Sequence, residues 1–275
     1  MSNYVISASD VKKLREMTNA GMMDCKKALE EANGDFEGAI EYLRKKGQKL
    51  SVKRADREAK EGVVVALVSD DKQRGVVVRL SCETDFVAKN DGFIQLAKNF
   101  AQLALDVFPT ALEGVVAIPY ENITIGEKVT EQLGVIGEKI ELAEYARLEA
   151  PLVVSYIHLG YKAGVIVGLN KNFEEAGKDV AMQIAAMKPI AVDKGDVDAT
   201  LIEKEIEIGK EQARQEGKPE AMLQKIAEGK LNKFFKEQTL LNQDFVKGDK
   251  QTVAEFLKTF DKDLTVTGFR HVALG

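Results

Sequence analysis

Tryptophan is absent from this sequence, and cysteine and histidine occur only twice each. Cys25 and Cys82 supply neither a disulfide framework nor metal-ligand spacing, which fits a reducing compartment and reads both as small apolar fillers. His158 and His271 lie far apart in stretches that read as strands. Neither has a cysteine or second histidine at ligand distance, so they read as structural and no metal site is expected. No two glycines stand two positions apart, and no Gly-Lys pair precedes Ser or Thr. The dinucleotide fingerprint and the usual phosphate loop are thereby excluded. GxSxG, HExxH and CxxC are missing too. No cofactor is expected, and an enzyme would have to work through scattered carboxylates.

Long apolar runs are also lacking. None approaches the roughly 20 residues that span a bilayer, and the opening MSNYVISASDV has neither a signal-peptide core nor an Arg-rich transit pattern. A cytosolic chain with no membrane contact is the expectation. The net charge of -5 argues against a phosphate-binding role, because nucleic-acid affinity leans on clustered Lys and Arg. The one basic stretch, RKKGQKLSVKRADREAKEG, has no interleaved aromatic to stack on bases and reads as a solvated helical linker. What the 275 residues do have is 45% hydrophobic content, enough for a substantial core divided among two or three domains. The working expectation is a protein that grips another protein.

The chain opens with a compact helical pattern. Ser9 can cap a helix carrying Val11, Leu14 and Met17 on one face. A break at Asn19-Ala20-Gly21 precedes a second helix over Met22 to Ala32, which aligns Cys25, Ala28, Leu29 and Ala32 and stops at Asn33-Gly34. A third presents Phe36, Ala39, Ile40 and Leu43. A module of about 45 residues is marginal alone and should be tethered to something larger. Met22 and Met23 point about 100° apart on a helix, so a narrow core stripe does not easily bury both. Flexible thioethers also suit adaptable contact surfaces, and core packing and surface contact both stay open.

Beyond the basic stretch lies an internal echo: Gly75-Val76-Val77-Val78-Arg79-Leu80 recurs as Gly164-Val165-Ile166-Val167-Gly168-Leu169. Each run follows a β-rich segment across a polar turn, Val63 to Val68 and Leu152 to Leu159, as in a hairpin. Each is followed by a helix, the first carrying Ile94, Ala97, Phe100, Ala101 and Ala104, the second carrying Val180, Ala181, Ile184 and Ala185 and ending at Lys188-Pro189. Two ββα units define an α+β pair, with helices on one sheet face and the other face or edge expected to be available for binding.

The first copy is longer between strand and helix, and the excess holds Cys82-Glu83-Thr84-Asp85-Phe86-Val87. Burying Phe86 would draw Asp85 toward an apolar environment that disfavours its charge, so an exposed aromatic wedge is one reading. The other has Asp85 capping the coming helix with Phe86 tucked beneath it. Between Asp198 and Thr239 a charged helical hairpin turns at Gly217-Lys218-Pro219, with Ile202, Ile206, Gly209 and Ala213 on a narrow coiled-coil stripe. It is expected to project from the core as an arm. Thr252 to Glu255 fits a capping box, and Leu264 to Val272 reads as a final strand.

AGMMDCKKALEEANGDFEGAIEYLRKKG and CETDFVAKNDGF, with VAMQIAAMKP, EGKPEAMLQKIAEGKLNKFFKEQTLLNQDFV and TVTGFR following in order, resemble the bacterial elongation factor Ts family over nearly the whole chain. The resemblance implies an α+β fold: an N-terminal three-helix ubiquitin-associated-like domain, then two ββα-type antiparallel-sheet subdomains with a projecting coiled-coil hairpin. The expected bounds are 1–54 for the helical domain and linker, 55–140 for the first subdomain and 141–275 for the second, with the hairpin at about 198–239. It implies no enzyme but a guanine-nucleotide exchange factor for elongation factor Tu, met in its GDP-bound and nucleotide-free forms during translation elongation.

At residue level the resemblance implies that Thr84, Asp85, Phe86 and Val87 reach the partner's nucleotide domain and dislodge its magnesium. Arg15, Met22 and Met23 match positions that meet a helix of that domain. Gln183, where many relatives carry His, matches a segment that docks on another partner domain. Asp244-Phe245-Val246 repeats letters of the key loop but matches a structural block. Relatives usually continue into a further helical module that touches the partner, whereas this sequence stops at Gly275, so the resemblance leaves that contact open. A homodimer through the core or the hairpin stays open. The helical module alone would suit an adaptor for ubiquitin-like proteins, against which the ββα pair and the TDFV loop argue.

Overall fold

The computed structural model describes residues 5–18, 20–248 and 250–275. Met1 to Tyr4, read above for targeting signals, and Asn19 of the expected helix break lie outside them.

Helix α1 (Ala8–Thr18) buries Val11, Leu14 and Thr18. Ser7, not Ser9, caps it: the Ser7 hydroxyl accepts the Asp10 N–H at 3.1 Å while Asp10 Oδ2 accepts the Ser7 N–H at 3.0 Å. Met17, expected in the core, is 55% exposed; Thr18 takes the inward place and returns its hydroxyl to the Leu14 carbonyl. Helix α2 (Met22–Glu31) buries Cys25, Ala28 and Leu29. It stops as expected, with Asn33 and Gly34 left-handed at φ 51° and 85°. Helix α3 (Phe36–Arg54) starts at Asp35, whose carboxylate accepts the Gly38 N–H at 2.8 Å, satisfying a donor that the helix leaves unpaired.

The first sheet unit comprises β1 (Glu61–Val68), β2 (Arg74–Cys82), a one-turn α4 (Asp85–Ala88) and α5 (Asp91–Val107). It continues with α6 (Leu112–Val116), a small β3–β4 ladder (Pro119–Tyr120, Ile123–Thr124), α7 (Ile125–Ile136) and β5 (Glu141–Glu149). The second comprises β6 (Leu152–Ile157), β7 (Ala163–Leu169), α8 (Glu174–Met187), α9 (Ala199–Gln215), α10 (Glu220–Gln238), α11 (Val253–Lys258) and β8 (Val266–Ala273). The sheets are antiparallel with orders β1-β2-β5 and β6-β7-β8. The sequence echo is thus a structural one, a hairpin and helix completed by a late third strand beside the second.

One face of each sheet packs on its helix, Val63, Val65, Val78 and Leu80 against α5 through Ala97, Phe100 and Ala104. In the second unit Leu152, Val154, Val165 and Val167 meet Val180, Ala181 and Ile184 of α8. The opposite faces are not free, which corrects the expectation of an available face. Val64, Ala66 and Val77 of one sheet form a common buried cluster with Val153, Ile166 and Val272 of the other. Strands covered on both sides are continuously apolar rather than alternating, as the Val-rich runs of β1, β2 and β7 are.

The basic stretch is helical through Arg54, yet it is not a solvated linker. α3 crosses α7 where a Cβ on Gly134 would stand 2.9 Å from Gly47 Cα, and Val135 of α7 packs onto the N-terminal helical core. In α9 and α10 Gly209 and Ala213 are buried with Leu223 and Ala227. Gly217, at φ 74°, makes the turn between them. A Cβ at Gly209 would lie 3.1 Å from Ala227 Cα, so small residues let this projecting arm close tightly. Thr252 and Glu255 form the expected capping box.

Candidate functional site

After β2 the buried Cys82 ends the strand, and its thiol donates to the Thr84 carbonyl at 3.2 Å. Burial pushes that thiol up to about 12, with the nearby Glu138 and Glu61 charges adding to the effect, so it serves as packing. The chain then makes the single turn α4. Val87 packs against the first sheet unit's core, and because neighbours on a helix point about 100° apart, Phe86 cannot follow it inward. Phe86 is 85% exposed. Asp85 is not the cap of α5; Asn90 is, its side-chain oxygen accepting the Gly92 and Phe93 N–H groups at 2.9 and 3.3 Å. The Asp85 carboxylate instead accepts a hydrogen bond from Lys89 Nζ at 2.6 Å, which holds its pKa below the ordinary value.

Two glutamates brace this turn. Glu138 accepts from Thr84 twice, from its N–H at 3.0 Å and its hydroxyl at 2.8 Å. Glu83 accepts from Arg54 at 2.7 Å, Arg57 at 2.9 Å and the Lys139 N–H at 2.6 Å. Desolvation opposes ionisation of Glu83, but the Lys139 N–H and the two guanidiniums outweigh it and bring the carboxyl down to about 2. Lys139 Nζ donates to the Ala55 and Arg57 carbonyls at 3.0 and 2.8 Å, closing the hub at the end of α3. Glu138, Arg54, Arg57 and Lys139 are site residues that no sequence motif marks. Thr84 and Glu138 stand 54 positions apart, and no local spacing announces such a pair.

An open groove runs from Phe86 between α5 and α7 toward Tyr120. Glu121, Lys128 and Val135 line both this groove and the neighbouring cleft, which Met17, Ile40 and Leu43 help to form. The braced turn and the end of α1 therefore border adjacent concavities that share these three residues. Arg15 is exposed on α1, and Met22 and Met23 are 59% and 76% exposed; both methionines edge a separate shallow depression with Ile6, Val11 and Lys26.

Gln183 is fully buried. Its amide donates to Gln243 Oε1 and the Asp244 carbonyl, both at 3.1 Å, and its oxygen accepts the Val246 N–H at 2.9 Å. It has no exposed surface for direct contact; what it presents is the loop it holds. Phe245 in that loop is buried and stacks on Phe256 with centroids 4.0 Å apart, matching its reading as a structural block. His158 is exposed beside the Tyr156 hydroxyl at 3.1 Å. His271, in β8, is pushed down from its ordinary pKa by burial and then by the Lys188 charge. Among the described residues no helix is long and apolar enough to cross a membrane.

The family model "Elongation factor TS" matches residues 83–275. The chain is 55% identical over 273 residues to Elongation factor Ts of Christiangramia forsetii, 51% over 273 to that of Flavobacterium psychrophilum and 50% over 274 to that of Amoebophilus asiaticus. Each alignment covers 98% of this chain and 99% of the relative. The further helical module expected of many relatives is therefore not a feature of these three. The matches and the α+β architecture define a translation elongation factor. The chain belongs to the elongation factor Ts family.

Proposed function

We propose that this chain is a guanine-nucleotide exchange factor for elongation factor Tu, releasing GDP by disturbing the GTPase's magnesium–nucleotide site without making or breaking a covalent bond. The observation that carries this reading is Phe86, 85% exposed on a turn held by hydrogen bonds at Thr84 and Glu83. An aromatic left in water on a held turn is placed for burial in a partner, and its transfer supplies on the order of 1.5–3 kcal/mol. A GTPase grips its diphosphate through a phosphate loop and an ion whose coordination depends on ordered neighbouring elements. In this reading Phe86 wedges between partner helices while Asp85 competes for local polar contacts, so the ion leaves and GDP follows. Thr84 and Val87 set the pose of the turn. Linkage requires that GDP and the factor weaken each other's binding to the GTPase by the same amount.

Arg15, Met22 and Met23 form the second contact in this proposal, the thioethers adapting to a partner helix. Because α3 packs closely on α7 at Gly47 and Gly134, the two contacts are carried on elements packed against each other, which makes the second engagement effectively intramolecular. Gln183 acts indirectly, by shaping the Gln243–Val246 loop at which Val246 is exposed. A role in elongation places the chain in the cytoplasm. The test is release of a fluorescent GDP analogue from elongation factor Tu as the chain is titrated. A saturable acceleration is expected, and a release rate independent of the chain would remove the proposal.

A further inference from the structure

We infer that Glu138 is a positioning residue that sets the pose of the Thr84–Val87 turn, with Glu83 as the second brace. A helix of four residues cannot hold itself, because a single turn fixes several dihedrals for very few hydrogen bonds. The orientation of α4 must come from outside. Thr84 stands at its N-cap, where a hydroxyl ordinarily accepts an N–H of the first turn; here no such bond forms. The hydroxyl is given to Glu138 instead, alongside the Thr84 N–H, so one carboxylate takes both donors in a charge-assisted pair. Glu138 is aimed by the end of α7: Gly137 is left-handed at φ 80° and donates its N–H to the Leu133 carbonyl at 2.9 Å, turning the chain back toward β2.

Glu83 ties the same turn to Arg54, the last residue of α3, and to Arg57 just beyond it. The turn that carries Phe86 is thus fastened near the end of α7 and to the end of α3, the pair of helices whose crossing joins the N-terminal module to the first sheet unit. Among the described residues Glu138 accepts both of its hydrogen bonds from Thr84, and its effect on the partner passes through that residue.

This inference rests on the exchange reading for its functional arm only; its structural arm uses the isolated chain. In Glu138→Ala, amide hydrogen exchange at Ala88–Asn90, whose N–H groups donate to the Thr84, Asp85 and Val87 carbonyls of the turn, is expected to rise about tenfold, with β2 and α5 unchanged. Glu138→Gln keeps an acceptor oxygen and should fall between. Unchanged exchange in the turn, or a rise shared equally by β2 and α5, would overturn the positioning role. In the GDP-release assay Glu138→Ala is expected to lower the maximal rate about tenfold and move the half-saturating concentration by less than about twofold, since Arg15, Met22 and Met23 still engage. A loosened turn with a wild-type maximal rate would overturn the inference and leave the exchange reading standing. If the wild-type chain itself releases no GDP, the exchange reading falls and amide exchange alone decides the positioning role.

Discussion

Gly75 on β2 and Gly164 on β7 hold the same place in the two repeated strand motifs, and each lets the opposite sheet approach its bare α-carbon. A Cβ at Gly75 would stand 2.7 Å from Val153 Cγ1, and one at Gly164 would stand 2.9 Å from Val64 Cγ1. Valine side chains on strands have little rotamer freedom with which to move away. Gly75→Ala and Gly164→Ala are each expected to cost about 1–3 kcal/mol through overpacking between the sheets. Urea unfolding of the two variants measures this, and an unchanged midpoint for both would show the sheets to be more loosely packed than described.

Glu83 makes the stability of the hub depend on pH in a defined direction. Its folded pKa is depressed from 4.5 to about 2, so the unfolded chain binds the proton first as pH falls. The contribution is fully present above pH 4.5 and is lost as pH drops toward about 2. Glu83→Gln, which cannot ionise, is expected to melt below wild type by a constant margin from pH 7 to pH 5, approximately, with the gap closing in more acid solution. Thermal unfolding across that range checks it; a gap that widens on acidification would contradict the assigned partners.

Gln183 satisfies the Val246 N–H and donates to two oxygens of the neighbouring loop in a fully buried place. Gln183→Ala leaves those groups unpaired at a cost of about 1–3 kcal/mol. The variant is expected to unfold at lower urea concentration and to expose the 243–246 segment to limited proteolysis. Wild-type resistance would mean that the loop is held by other contacts.

The repeat, the left-handed stop at Gly34, the hairpin turn at Gly217 and the capping box at Thr252 were legible because each is a local pattern. The two-sided burial of the sheets was legible in principle: Val76-Val77-Val78 and Val165-Ile166-Val167 do not alternate, and a one-sided strand would. The exposure of Phe86 was legible only as an alternative, since whether an aromatic turns inward depends on what the next residue packs against, and here Val87 takes that place. Glu138 and Arg54 were not legible. Their roles arise from the crossing of α3 and α7, a tertiary event carried by two glycines with no motif of their own. Gln183 was legible only through resemblance, as part of a partner-docking segment; that its side chain is fully buried and clamps the 243–246 loop depends on residues about 60 positions away.

The most direct measurement is the rate of GDP release from elongation factor Tu at saturating Phe86→Ala. Because the ring is 85% exposed, the thermal midpoint of the free chain should stay at the wild-type value. The maximal release rate should fall by about 10- to 100-fold, the equivalent of about 1.5–3 kcal/mol of aromatic burial realised only in the exchange complex. A maximal rate equal to wild type would contradict the claim that this braced aromatic opens the nucleotide site.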